Sequence, residues 1–394
     1  MGNKKVIALI SLFSVMLLLL TGCWDEVELE ERAFVSGVAV DLAEEHGGKI
    51  TFEMTEQVVV PGGLGTTTQP GGGQAFRNVG DSSESLFEIN TNISRQLNRK
   101  TNVEHLDLII VSSELAKKKE LFADILDVFV RQQNMRRGII LAIADEKAKD
   151  LLYVEPEHIK IPSKYITELM ENNESPITSE TTRLGDIQEN LLMGKSYTIP
   201  LLSMVSDKTI EYEGVALFHG QTSRLVDTLK DDEAKGLHFI IGRNQRGSVI
   251  SEVEGKQTSF VITEGDSKYK LTNNDKNNLT FQVDINITAQ ITEYFGTMDL
   301  YKNKSLRKFE RALQRRIKTM AEKTLEKVKD DLQVDVLQFD RYLRIHHNKL
   351  WEEIKEDWDH GENYFSQSDI EINVKANVTE PGTSVRMRQK GEQD

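Results

Sequence analysis

Cysteine occurs once in the 394 residues, proline seven times and tryptophan three times. A single thiol excludes a disulfide framework within the chain and any site built from several thiolates. Bases are also short: 49 Lys and Arg stand against 63 Asp and Glu, a formal charge of −14. Nucleic-acid binding draws its affinity from neutralised phosphates, so this balance excludes it as a partner class. It equally excludes a polybasic grip on anionic lipid. The eight histidines are scattered apart from His346-His347, and adjacent residues on a helix point to different faces, so that pair is no metal site. There is no GxSxG elbow and no HExxH. The glycines of 61–73 do not fall as GxGxxG, and no lysine follows them. Gly194-Lys195-Ser196 has Glu189 where a phosphate-binding loop needs glycine. No catalytic residue, metal ligand or cofactor is therefore predicted, the chain is not expected to be an enzyme, and ligand-binding residues stay unassigned.

Long apolar runs are nearly absent too. The exception is Val6 to Leu20, interrupted only by Ser11 and Ser14 and preceded by Lys4-Lys5. It is shorter than the ~20 residues a membrane-spanning helix needs, and its positive start and small-residue end are those of a secretory leader. Leu20-Thr21-Gly22-Cys23 matches the bacterial lipobox. A thiol is needed there because, as thiolate, it is the nucleophile that accepts the diacylglyceryl group; small residues before it let the peptidase reach the backbone. The expectation is cleavage after Gly22 and an N-palmitoyl, S-diacylglycerol cysteine at 23. N-myristoylation is excluded because Val6 stands where that motif requires Ser or Thr. Without Lys4 and Lys5 the mature chain keeps 47 bases against 63 acids, a net of −16. The lipid must then supply the membrane affinity, and two or three acyl chains hold where one is marginal.

The rest reads as an α+β protein of several domains, with mixed β-sheets flanked by helices. Leader 1–22 is followed by an α/β region over 23–200, counted as two domains. Phe34 to Asp41 reads as a strand, and Lys49 to Val60 as a half-buried strand paired with it around 44–48. Residues 61–73 read as a flexible loop. Ser82-Ser83-Glu84 opens a helix with Leu86, Ile89, Ile93 and Leu97 on one face. Buried strands are predicted at Leu106–Val111 and Ile139–Ala144, with one helix between them from Glu114 to Arg131. Arg131, Arg136 and Arg137 read as solvated bases at its end rather than an anion site. Helical stretches follow from Ala148 and within 159–196, and the boundary is placed near Pro200.

The C-terminal region, 201–380, reads as α+β. Strands are expected at Ile210–Phe218, His238–Gly242 and Thr258–Thr263, with a helix start at Asp231-Asp232-Glu233. In Phe281 to Ile291 apolar and polar residues alternate throughout, so one face is buried and the other is wet or meets a partner. Ser305 is expected to cap a long helix over about 305–331, with Arg307, Lys308, Arg311, Arg315, Arg316 and Lys318 as a solvated basic face. A second helix is read from Phe339 to Trp358, then a strand at Ile370–Val378 and a polar, disordered tail over 381–394.

Taken in order, these features resemble the Ger(x)C lipoproteins, the C-subunits of spore nutrient germinant receptors. The resemblance rests on Cys23-Trp24-Asp25 at the lipobox, the strand from Gly37 to Asp41, Pro61-Gly62-Gly63, Gly214-Val215-Ala216-Leu217-Phe218, the long helix, Asp335 to Trp358 and the closing strand. Two departures stand out: Val334-Asp335-Val336-Leu337-Gln338-Phe339 lacks the family's glycine, and Trp351 lacks the preceding proline. The resemblance implies a three-domain ectodomain on the outer face of the spore inner membrane, beside an A-subunit and a transporter-like B-subunit, in a receptor triggered by small nutrients. Direct nutrient contact is not implied. The alternative class is a substrate-binding lipoprotein that feeds a transporter, which predicts two lobes hinged about a cleft.

Overall fold

The computed structural model describes residues 32–43, 49–64, 72–132, 135–172, 181–243, 246–300 and 302–379. Arg32–Leu42 forms β1, buried along nearly its whole length. It is antiparallel to β2 (Phe52–Val59), which is antiparallel to β3 (Phe76–Ser83). On its other side β1 runs parallel to β5 (Leu108–Ser112), which is followed in parallel by β6 (Ile140–Ala144) and β7 (Tyr197–Ser206). Uninterrupted apolar strands such as β5 and β6 are what the centre of a parallel sheet demands, since both faces are covered. An antiparallel meander of β7, β8 (Thr209–His219) and β9 (Arg224–Lys230) completes the sheet, and β4 (Lys100–Asn102) lies along the start of β1. Residue 200 lies inside β7.

Helices cover both faces of this first sheet. They are α1 (Pro61–Leu64), α2 (Leu86–Gln96), α3 (Ser113–Ala116), α4 (Leu121–Arg131), α5 (Ala148–Leu151), α6 (Pro162–Met170) and α7 (Leu184–Leu192). Ile93, Phe122, Leu126 and Ile187 pack with Ile109, Ile143 and Phe218 on one face. Leu151, Ile166 and Met170 pack with Leu108, Ile110 and Ala142 on the other.

Several expected boundaries move. Ser82 and Ser83 finish β3, and Ser85 is the residue that caps α2, its hydroxyl accepting from Glu88 N at 3.4 Å. The single helix expected from Glu114 is two, broken at Glu120, which adopts a left-handed φ of 62°. The stretch 61–73 opens with a helical turn whose Gly63 carbonyl accepts from Lys160 Nζ at 3.0 Å; residues 65–71 lie outside the described residues, as does the tail. β2 is not half-buried. Met54 and Val58 join the core on one face and Gln57 meets Leu152 and Ser163 on the other, so Thr55, Glu56 and Gln57 are all enclosed. Gln57 spends its amide on Leu152 O (3.0 Å) and on the Ser163 N–H (2.8 Å).

Glu56 has no such compensation. It is 2% exposed, and its Oε2 has no hydrogen-bond partner among the described residues. Burial pushes its pKa from 4.5 to about 7. The folded chain therefore holds a proton that the unfolded chain sheds, and stability falls as pH rises from the unfolded value toward about 7. Glu56→Gln is expected to remove that slope and to raise stability at pH 8 by about 3 kcal/mol. Urea unfolding of both proteins at pH 5 and pH 8 measures it; parallel pH profiles would refute it.

The second sheet orders β10 (Gly247–Val253), β11 (Lys256–Asn273), β12 (Thr280–Tyr294) and β13 (Asp369–Thr379), with only β12 and β13 parallel. The alternation read in Phe281–Ile291 is present. Phe281, Val283, Ile285, Ile287, Ala289 and Ile291 all face the core beneath α8 (Asp231–Ile241) and α9 (Asn303–Leu325). His238–Gly242 is not a strand but the end of α8. The acids at 231–233 start that helix at its positive dipole end, and Gly242, at φ 71°, closes it. Its apolar residues look continuous because it is buried on several sides, with Leu237, His238, Phe239 and Ile240 all enclosed. At Gly236 a Cβ would lie 2.3 Å from Met320 O, so only glycine lets α8 cross α9 this closely.

Lys302, not Ser305, holds the cap position of α9, which continues into a π-helical turn at Glu326–Asp331. The helix expected over 339–358 is broken at His347 into α10 (Phe339–His346), α11 (Asn348–Ile354) and a 3₁₀ turn. The break folds Trp358 back onto Phe281 and Phe365, with ring centroids 6.4 and 5.9 Å away. A one-turn helix, α12 (Tyr364–Gln367), leads into β13. The two lobes are not independent. On β8, Ala216 and Phe218 face the first-sheet core, whereas Val215 and Leu217 join Leu229, Leu237 and Phe239 in the core of the second lobe.

Candidate functional site

The lobes meet at a polar junction built around Asp335. An aspartate between Val334 and Val336 is carried into the interior by its neighbours, and the chain wraps it in donors. Its Oδ1 accepts from Leu337 N (3.1 Å) and Phe339 N (3.3 Å). Its Oδ2 accepts from Asp340 N (2.7 Å) and Trp358 Nε1 (2.7 Å). Burial, then the Asp340 carboxylate, push the Asp335 pKa up, while the Trp358 and Asp340 donors pull it down. A proton on Asp335 would confront one of four N–H groups, so the loop is shaped for a carboxylate.

Asp359 carries the network to the other lobe. Its Oδ2 accepts from Asp335 N at 3.3 Å and from Ser196 Oγ at 2.5 Å, and Ser196 Oγ accepts in turn from Gly220 N at 3.0 Å. Lys195 Nζ lies 3.0 Å from Asp340 Oδ2, both side chains largely buried. Gly194-Lys195-Ser196 therefore does hold an anion, but it is this chain's own pair of aspartates. Gly220 is required because a Cβ there would lie 2.2 Å from Gly194 O. On one side of this bridge a polar cleft of about 450 Å³ separates α7 from α10, lined by Glu189, Arg341 and Arg344 among others. On the other side, a groove of about 300 Å³ runs between Met193 and Trp351.

Gln338 enters α10 in the left-handed region, at φ 67° and ψ 27°. A residue with a Cβ is strained there, and glycine is not. Gln338→Gly is expected to stabilise the protein by about 1 kcal/mol, read as a higher urea midpoint; an unchanged or lower midpoint would contradict it.

Leu20, Thr21, Gly22 and Cys23 lie outside the described residues. Arg131 pairs with Asp127 (2.5 Å), Arg136 pairs with Asp107 (2.8 Å), and Arg137 is exposed; the three do not converge. The basic face of α9 is partly consumed internally. Arg316 donates to both oxygens of Asp232 (2.8 Å each) and to Ile250 O (3.1 Å), and Lys308 pairs with Glu254. Arg307, Arg311 and Arg315 remain exposed. His347 Nε2 sits 3.4 Å from Tyr342 OH, and no metal-ligand cluster occurs among the described residues. Sequence reasoning missed Asp335, Asp340 and Asp359. The signal available was a lone carboxylate inside the apolar run Val334–Leu337.

Two interlocked lobes, tied by a buried ion pair and hydrogen bonds, define a multi-domain α+β scaffold. Residues 25–206 match the spore germination protein N-terminal domain, and residues 213–382 match the spore germination B3/GerAC-like C-terminal domain. The chain belongs to this family of spore germination proteins. It is 24% identical to spore germination protein YndF of Bacillus subtilis (strain 168) over 402 residues, covering 96% of this chain and 98% of that one. It is also 24% identical to spore germination protein B3 of the same organism over 387 residues, covering 96% and 99%. The crystal structure of the GerBC protein shares the fold at a TM-score of 0.59 and 19% identity, over 90% of this chain and 99% of that one.

Proposed function

We propose that this protein is the lipid-anchored, non-enzymatic subunit of a nutrient germinant receptor. Cys23 holds it at the extracytoplasmic face of the membrane, and it acts through contacts with the A- and B-type membrane subunits. The observation that carries the reading is the continuity of the two family matches, 25–206 and 213–382, with a lipobox immediately before them. Deleting the gene is expected to leave vegetative growth unchanged and to abolish the germination response to one set of nutrients. Normal germination in every nutrient, in a strain whose paralogues are also deleted, would overturn it.

The cleft between α7 and α10 favours a second reading, a substrate-binding lipoprotein that feeds a transporter. Such proteins open about a hinge. Here Val215, Leu217 and Leu229 of the first sheet are built into the core of the second lobe, and the junction carboxylates bolt the rim shut. Both features oppose hinge opening, so the receptor-subunit reading is preferred.

A further inference from the structure

Three apolar side chains beside the junction are exposed. Leu192 is 81% exposed, Met193 48% and Ile345 60%. The first two close α7 and the third lies near the end of α10, so the patch is drawn from both lobes. Arg344 Nη1 reaches Met193 Sδ at 3.2 Å, which sets the two sides together. Arg341 donates to Gln338 Oε1 at 3.4 Å. Neither arginine forms an ion pair with a carboxylate among the described residues. Behind Met193 the groove to Trp351 is open enough for a side chain. Exposed Leu, Met and Ile beside Arg and a half-buried Trp make up the composition of a protein-binding patch, not of an ordinary surface.

Its place in the fold narrows the partner. Ile140 N donates to Asp107 O and Leu141 N to Thr182 O where β6 begins. Tyr197, the first residue of β7, pairs with Phe218 near the end of β8. The turns at Asp107, Thr182, Lys195 and Gly220 therefore share one end of the first sheet, the end at which β1 begins at Arg32. Arg32 stands nine positions after Cys23, at most about 30 Å of extended chain. A bilayer holding Cys23 thus lies below this end. The bilayer itself is a poor occupant. Glu189, Glu352 and Glu356 are exposed around the same rim, in a mature chain of net charge −16, and anionic headgroups repel such a surface.

We infer that the rim of Leu192, Met193, Ile345, Arg341 and Arg344 docks an extracytoplasmic segment of an integral membrane protein. An apolar side chain of that segment enters the groove between Met193 and Trp351, and a neighbouring carboxylate pairs with the two arginines. The inference rests on the lipid-anchored receptor reading, and names the surface through which the contact is made.

Site-specific photocrosslinking tests it in the full lipidated chain, co-expressed with the A- and B-type membrane subunits. One probe, p-benzoylphenylalanine, replaces Leu192; a control replaces Val205, exposed on β7 at the opposite end of the sheet. The expected result is a crosslink from position 192 to one membrane subunit, about tenfold stronger than from position 205. Arg341→Glu with Arg344→Glu is expected to reduce that crosslink about tenfold, with membrane retention and melting temperature unchanged. A crosslink from 192 to phospholipid or to a second copy of the chain overturns the docking surface. So does an equal yield from both positions, or a yield indifferent to the charge reversal. Failure of the native chain to co-purify with either subunit in detergent overturns the receptor reading itself.

Discussion

A mature chain carrying Cys23→Ala is expected in the soluble extracytoplasmic fraction, its membrane-bound share lower by about a hundredfold. The size of the effect follows from how little else holds the chain. No described helix is long and apolar enough to cross a membrane, and the mature charge of −16 gives no attraction to anionic headgroups. Each buried methylene of an acyl chain contributes about 0.8 kcal/mol, so two or three chains dominate any surface contact. An unprocessed leader would itself retain the protein, because Val6 to Leu20 is apolar. The measurement therefore places a leader cut by the general signal peptidase in front of the Cys23→Ala variant, and keeps the native lipobox for the parent chain. Fractionation and palmitate labelling then compare the two. Equal membrane retention would show that the lipid is not the anchor. The melting curves of the two are expected to coincide.

Asp335→Asn is expected to cost about 3 to 5 kcal/mol. All four hydrogen bonds to this carboxylate come from N–H groups. An amide keeps one oxygen and turns an NH₂ toward either Leu337 and Phe339 or Asp340 and Trp358. Two acceptor contacts are lost and donors are forced against donors in a largely buried site. The indole of Trp358 donates to Asp335, so tryptophan fluorescence during urea unfolding reports the change directly. A midpoint matching the native protein would mean that the four donors are satisfied otherwise. Asp359→Asn should cost less, because its oxygen accepts from a serine hydroxyl that can rotate.

How much of this was legible beforehand depends on how evenly each element is buried. β12 could be read because it is covered on one face only, which leaves a period of two in Phe281–Ile291. The end of α8 could not, because it is enclosed on several sides and His238 to Ile241 carries no period at all. The cap of α2 lay among Ser82, Ser83 and Ser85, and composition alone cannot choose among neighbouring serines. The broken helix after Phe339 depends on aromatic packing of Trp358 against Phe281, far away along the chain, which no local signal carries. The junction was the least legible part. Lys195 and Ser196 looked like a failed phosphate loop, and nothing local singled out Asp335, Asp340 or Asp359 as a group. Only the fold brings the two groups together.

The divided loyalty of β8 also bears on how the protein comes apart. A fragment stopping at Ser206, near the end of the N-terminal family match, would leave the hydrogen bonds of β7 without their β8 partners and would strip Phe218 from against Tyr197. A fragment beginning at Glu213 would keep Val215 and Leu217 but lay their strand bare along the side where β7 belongs. Each half thus carries a ragged, adhesive strand edge that the other half normally covers. The sequence boundary between the two halves is not a boundary of cooperativity. Heating should melt both lobes in a single calorimetric transition, and proteolysis should find no stable intermediate to trim.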